Sequence, residues 1–147
     1  MIKVEHSVVI DRPVPEVFAF VTNPANNAKW QDGLVESRMA SSEPMGEGAR
    51  VVDVRKFLGR DMESNLEVTI FEPNKRYVQK VVSGPIPFEI IQTFDPSVNG
   101  TKLTILAQGE PGGFFKLAEG LVRKQLESQI QGDAERLKKI LEVQTAE

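Results

Sequence analysis

From Phe114 to Leu141 apolar residues recur every three or four positions: Phe114, Leu117, Ala118, Leu121, Val122, Leu126, Ile130, Ala134, Leu137, Ile140 and Leu141. That spacing predicts one apolar stripe along an α-helix of roughly seven turns at ~3.6 residues each. Arg136, Lys138 and Lys139 lie near its end, where cations favour the negative pole of the helix dipole. A stripe of this length has to be buried against another element, and the preceding sequence determines which.

The preceding sequence reads as strands. Val4, His6, Val8 and Ile10 alternate with Lys3, Glu5, Ser7 and Asp11, the period of two that gives a strand one apolar face. Pro13 and Pro15 stop it and suit the first turn of a short helix through Val17, Phe20 and Val21. Thr22-Asn23-Pro24 breaks that helix and can cap a second one leading to Trp30, the sole tryptophan. From Leu34 to Gln108, turn signals separate six further strands: Gly46-Glu47-Gly48, Gly59-Arg60, Pro73-Asn74-Lys75, Ser83-Gly84-Pro85 and Asn99-Gly100. Asn99-Gly100 is the strongest signal, because both residues tolerate the positive φ of a type I′ hairpin. Turns so closely spaced favour antiparallel hairpins over parallel crossovers. The expectation is an α+β fold: a curved seven-stranded antiparallel sheet wrapped around the terminal helix, with two short helices between strands 1 and 2. The space between such a sheet and its helix is the default ligand site.

Composition narrows the function. The 147 residues suit one domain, 1–147, and 40% hydrophobic with 27% charged residues describes a globular chain. Net charge is −3, with no basic stripe, which argues against nucleic acid as a partner. The longest apolar run, Val17 to Val21, is far short of the ~20 residues of a membrane span, and the first residues hold no signal-length apolar run. There is no cysteine, hence no disulfide or thiol nucleophile, and a cytoplasmic location is expected. One histidine and no cysteine make a metal site improbable, and no cofactor is expected.

Several stretches together resemble the polyketide cyclase and START-like lipid-binding superfamily of helix-grip proteins. Ile10-Asp11-Arg12-Pro13-Val14-Pro15-Glu16-Val17-Phe18 is similar to its I-x-x-P-x-x-x-V-F/W opening. Asn23-Pro24, Trp30, Gly48-Ala49-Arg50, Gly100-Thr101-Lys102-Leu103 and the helix end Leu137 to Glu142 continue the likeness over nearly the whole chain. The superfamily includes lipid carriers, hormone receptors, aromatic-ring cyclases and activators of a chaperone ATPase, whose loop motif is missing here. It shares no catalytic triad, so no catalytic residue carries over. Trp30 matches the aromatic that wedges the short helices onto the sheet, which implies a packing anchor before a ligand contact.

Individual residues add candidates. His6, on the face of Val8 and Ile10, reads more simply as a hydrogen-bonded histidine at a strand end than as a proton donor. A Gly59-Arg60 loop would pair Phe57 with Met62 and Asp53 with Leu66, set Lys56 opposite Glu63, and turn Asp53 and Arg55 inward to orient a carboxylate or hydroxyl. A one-residue slip would send both out and bring Val52 and Val54 in. Both registers stay open. Phe88, Ile90, Gln92 and Phe94 share a strand face, leaving Gln92 as a neutral polar group on an apolar wall. Gly120 and Gly132, within the helix, read equally as close-approach points and as solvent-facing positions.

The expected function is binding or carriage of a small hydrophobic or amphipathic molecule, such as a lipid, polyketide or aromatic. Trp30, Phe57, Met62, Leu66, Phe88, Gln92, Leu117 and Leu121 are the expected contacts. The alternative is a cyclase- or dehydratase-type enzyme in which His6 or Asp53 moves a proton. Oligomeric state cannot be read from the sequence.

Overall fold

The computed structural model of the protein describes residues 1–42, 44–57, 59–84, 87–110 and 118–144, and the side chains of all of these except Phe57 and Gln144. β1 (Ile2–Ile10) leads into α1 (Val14–Val21), a 3₁₀ turn (Pro24–Asn26) and α2 (Asn27–Trp30). Six strands follow: β2 (Leu34–Met39), β3 (Arg50–Phe57), β4 (Arg60–Glu72), β5 (Arg76–Ser83), β6 (Phe88–Ser97) and β7 (Gly100–Gly109). The final helix, α3, spans Glu119–Gln144. All seven strands form one antiparallel sheet in the order β1-β7-β6-β5-β4-β3-β2, curled into a half-barrel that holds α3. This is the helix-grip arrangement.

The alternation expected in β1 is present, with Ile2, Val4, Val8 and Ile10 buried and the odd positions exposed. Pro13, with ψ 150, is the residue before α1, and α1 buries Val17, Phe18 and Val21. Asn23 Oδ1 accepts the Ala25 N–H at 3.1 Å and so caps the 3₁₀ turn. Along α3 the buried line runs Ile130, Ala134, Leu137 and Leu141, flanked by half-buried Val122 and Leu126. Leu121 sits about 100° round the helix from Val122, and it is 73% exposed. Phe114 and Leu117 lie outside the described residues. A Cβ at Gly120 or Gly132 would meet nothing within 4 Å, so neither glycine marks a close approach.

Two turns differ from expectation. Ser97 pairs with Gly100, so the β6–β7 loop is Val98-Asn99, and Asn99 lacks positive φ; the type I′ assignment to Asn99-Gly100 is corrected. Gly100 is needed for another reason. A Cβ there would sit 2.2 Å from the Ile10 carbonyl oxygen and 2.7 Å from Arg12 N, both backbone atoms that cannot swing aside. At the β3–β4 hairpin Phe57 pairs with Arg60, Asp53 with Ser64 and Val51 with Leu66. This is two residues from the first expected register and so keeps its faces: Asp53 and Arg55 share the inner side with Val51. Lys56 stands opposite Asp61, at 3.8 Å, rather than Glu63.

Where α3 ends, the turn after β1 receives it. Arg12 Nε donates to Leu141 O at 3.0 Å and Nη2 to Glu142 O at 2.6 Å, satisfying carbonyls that have no partner within the helix. Asp11 N donates to Glu142 Oε2 at 2.9 Å, and Lys138 Nζ bonds both Val9 O and Glu142 Oε2 at 2.7 Å. Thr101 Oγ1 completes the junction by donating to Arg12 O at 2.8 Å.

Candidate functional site

Residues opposite one another in an antiparallel ladder point to the same face, so the pairings define rows across the inner side of the sheet. One row runs His6, Ile105, Gln92, Tyr77, Phe71 from β1 to β4. The next runs Val4, Ala107, Ile90, Gln79, Val68. On the far side lie Ser64, Asp53, Ser37 and, beside them, Met62, Arg55, Leu34. The inner face therefore carries apolar side chains broken by polar ones that are themselves buried: Gln92, Gln79 and Asp53 are each 8% exposed or less. Phe18 of α1 closes one end, with edge contacts to Phe71 at 5.3 Å and Phe94 at 5.0 Å.

The polar groups concentrate where α2 meets β2 and β3. Asn27 Nδ2 donates to Ser37 Oγ at 3.2 Å, and Ser37 Oγ donates to Asp53 Oδ1 at 2.6 Å. Arg55 Nη2 lies 4.0 Å from Asp53 Oδ2 and donates to Gln31 Oε1. Burial pushes the Asp53 carboxyl above its ordinary value, against the opposing effects of the Ser37 hydrogen bond and the Arg55 charge. The Tyr77 hydroxyl is pushed up as well, by burial first and then by the nearby Asp53 charge. That hydroxyl donates to Met45 Sδ at 3.9 Å, a weak acceptor.

Buried polar atoms in folded proteins nearly always have partners, and leaving one unpaired costs about 1–3 kcal/mol. Here His6 Nε2, Asn27 Oδ1, Trp30 Nε1, Arg55 Nη1 and Gln92 Oε1 are buried with none among the described residues. His6 therefore lacks, at Nε2, the hydrogen bond expected of it, and it sits in mid-strand rather than at an end. All five belong to inner-face strand positions or to α2. Incompletely buried apolar positions are Met62, Val81 and Ile90 on the inner face of β4–β6, and Val122 and Leu126 on the first half of α3.

Of the residues expected to touch a ligand, Trp30, Leu66, Phe88 and Gln92 are buried and Met62 is half-buried. Leu121 faces solvent, while Leu117 and the Phe57 side chain lie outside the described residues. Asn27, Ser37, Tyr77 and Gln79 complete the polar set and were not expected; alternation along β2 and β5 gives the strand faces of Ser37, Tyr77 and Gln79 but not their meeting with Asn27. Surface clefts of about 380 and 290 Å³ lie at the β4–β5 turn and the α2–β2 loop, and neither is lined by Asp53, Tyr77 or Gln92. Among the described residues no group of three His, Asp or Glu is arranged to hold a metal ion, and no helix is long and apolar enough to cross a membrane.

A seven-stranded sheet gripping a terminal helix, with polar side chains gathered on its concave face, places the protein in the helix-grip class. The chain belongs to the polyketide cyclase/dehydrase and lipid transport family, whose sequence model matches residues 1–142. No curated protein sequence matches it. Among solved structures it resembles protein NE0264 of Nitrosomonas europaea, at 16% identity and a TM-score of 0.78 over 99% of this chain and 97% of that one. It also resembles TTHA0849 of Thermus thermophilus, at 19% and 0.73 over 92% and 96%, and MLL2253 of Mesorhizobium loti, at 18% and 0.71 over 95% and 96%. At these identities the likeness is one of fold.

The Asp53 shift has a consequence for stability. A folded-state pKa above the unfolded one means the folded protein holds that proton more tightly. Its contribution is fully present below the unfolded value, 3.8, and is lost as pH rises through the raised value. Asp133 shifts the same way and the half-buried Glu142 the opposite way. Asp53→Asn removes one titration, so the variant should gain stability relative to the parent as pH is raised from 3.8 towards neutrality. Urea midpoints of both proteins across that range are the measurement. A difference between them that does not change with pH would show that Asp53 titrates normally.

Proposed function

We propose that the protein binds a small amphipathic molecule between the inner face of the sheet and α3. The observation that carries this reading is the set of buried polar atoms without partners, set among half-buried apolar side chains. A ligand with an apolar body and a few oxygen atoms would satisfy both. In this reading Trp30, Met62, Leu66, Phe88 and Gln92 are contacts, with Gln92 Oε1 accepting from a ligand hydroxyl. Phe57 and Leu117 remain proposed contacts on sequence grounds, and Leu121 is one only where a ligand reaches the exposed flank of the helix. Affinity should be about micromolar, roughly −8 kcal/mol, with broad selectivity because methionine adapts its shape.

The test is titration with fatty acids, flavonoids and polyketide-like aromatics, read by emission of the single tryptophan and by native mass spectrometry. Saturable binding of at least one class is expected. An absence of binding throughout, with a liganded-condition structure whose interior is filled by side chains, would overturn the proposal. The raised Asp53 favours a second reading, in which that carboxyl moves a proton in a cyclisation or dehydration. A turnover that survives Asp53→Asn unchanged would remove it.

A further inference from the structure

We propose that the polar end of this interior receives a neutral carbonyl oxygen, with Arg55 Nη1 as its donor, and discriminates against a carboxylate. The inference rests on the binding reading above and goes further, to the chemistry of the group bound. Arg55 lies in the ladder between Leu34 and Met62, so its side chain is flanked there by apolar residues while its guanidinium reaches the polar cluster. Nη2 is engaged by Gln31 Oε1 and faces Asp53. Nη1 is buried and has no partner among the described residues. A guanidinium cannot escape by losing its proton, so this N–H group requires an acceptor.

The charge balance around it decides which acceptor. The buried acids among the described residues are Asp53 and Asp133. Asp53 is set against Arg55, and Asp133 accepts from Arg136 Nη1 at 3.1 Å and from Asp32 N at 2.9 Å. Asp133 also feels the charge of Arg55. Two acids thus already face two guanidiniums. A ligand carboxylate would be a third acid beside the same two guanidiniums, in a partly buried site where burial already disfavours the ionised form of the two present, and uncompensated buried charge is strongly unfavourable. A ketone or ester carbonyl takes the N–H bond and leaves the balance untouched.

Calorimetric titration with acetonaphthone, ethylnaphthalene and naphthoate, substituted at the same ring position, separates these cases because the three share one apolar body. The ketone should bind about tenfold or more tightly than the ethyl compound, the gain expected of a hydrogen bond to a charged donor, and more tightly than naphthoate. In Arg55→Met the gap between ketone and ethyl compound should close. Equal binding of those two to the parent protein would overturn this inference and leave the pocket reading intact. Binding of none of the three would overturn both. Naphthoate binding tightest, and losing that advantage in Arg55→Met, would overturn the neutral-ligand assignment. A ketone preference that persists in Arg55→Met would overturn the role of Arg55. Should that variant fail to fold, the parent series still decides on the carbonyl, and Arg55→Lys, which keeps the charge but loses the planar fork, should narrow the gap.

Discussion

A chain ended before Glu119 should fail to fold cooperatively. The part of α3 that is buried supplies Ile130, Leu137 and Leu141, each 8% exposed or less. At about 1.5–3 kcal/mol for each large apolar side chain, together they contribute roughly 5–9 kcal/mol. That is comparable with the entire net stability of a small domain, about 5–15 kcal/mol. Removing the helix also uncovers Val4 and Val8 of β1, on which it packs. It further strips Arg12 of its helix-end acceptors, Leu141 O and Glu142 O. Circular dichroism and urea unfolding of the truncated chain are the measurements. A soluble monomer that still unfolds in one sharp transition would show that the sheet closes its own core.

Trp30→Ala should cost about 3–5 kcal/mol, the range for losing a large buried aromatic. The indole is 3% exposed and belongs to the main apolar cluster. Its backbone is held as well: Arg136 Nη1 donates to Trp30 O at 2.7 Å, and Gln129 Nε2 donates to Asp32 O at 3.2 Å. α2 is thereby fastened to α3, so the space left by the indole cannot readily collapse. Trp30→Phe should cost much less, because Nε1 has no partner among the described residues to lose. Urea unfolding of both variants checks the pair. A loss below about 0.5 kcal/mol for the alanine, or an equal loss for the phenylalanine, would show that the ring is not the anchor.

The period of the apolar pattern made the architecture legible: alternation up to Gln108, then threes and fours. Position within an element was harder to read. Leu121 and Val122 both fit a three-four spacing, yet they point about 100° apart, and only contact with β1 and α2 determines which faces in. The β3–β4 register was ambiguous because Val52 and Val54 compete with Asp53 and Arg55 for the inner side, and alternation alone does not rank a pair of valines against an ion pair. Asn99-Gly100 misled because its glycine answers to the backbone of Ile10 and Arg12, some ninety residues away. The polar cluster was hidden for a similar reason. Asn27, Ser37, Asp53 and Tyr77 come from α2, β2, β3 and β5, and no spacing in one dimension brings them together.

The junction at Arg12 also bears on synthesis. Its donors reach carbonyls 129 and 130 residues further along the chain, and β1 pairs only with β7, whose first residue is Gly100. While the chain emerges from the ribosome, the first strand has no neighbour until the last strand is out, and the junction cannot form until the final turn of α3 follows. Contacts this distant in sequence place the closing step of folding after β7 and α3 have been made. Until then the apolar side of β1 lacks the cover that α3 gives it in the finished fold.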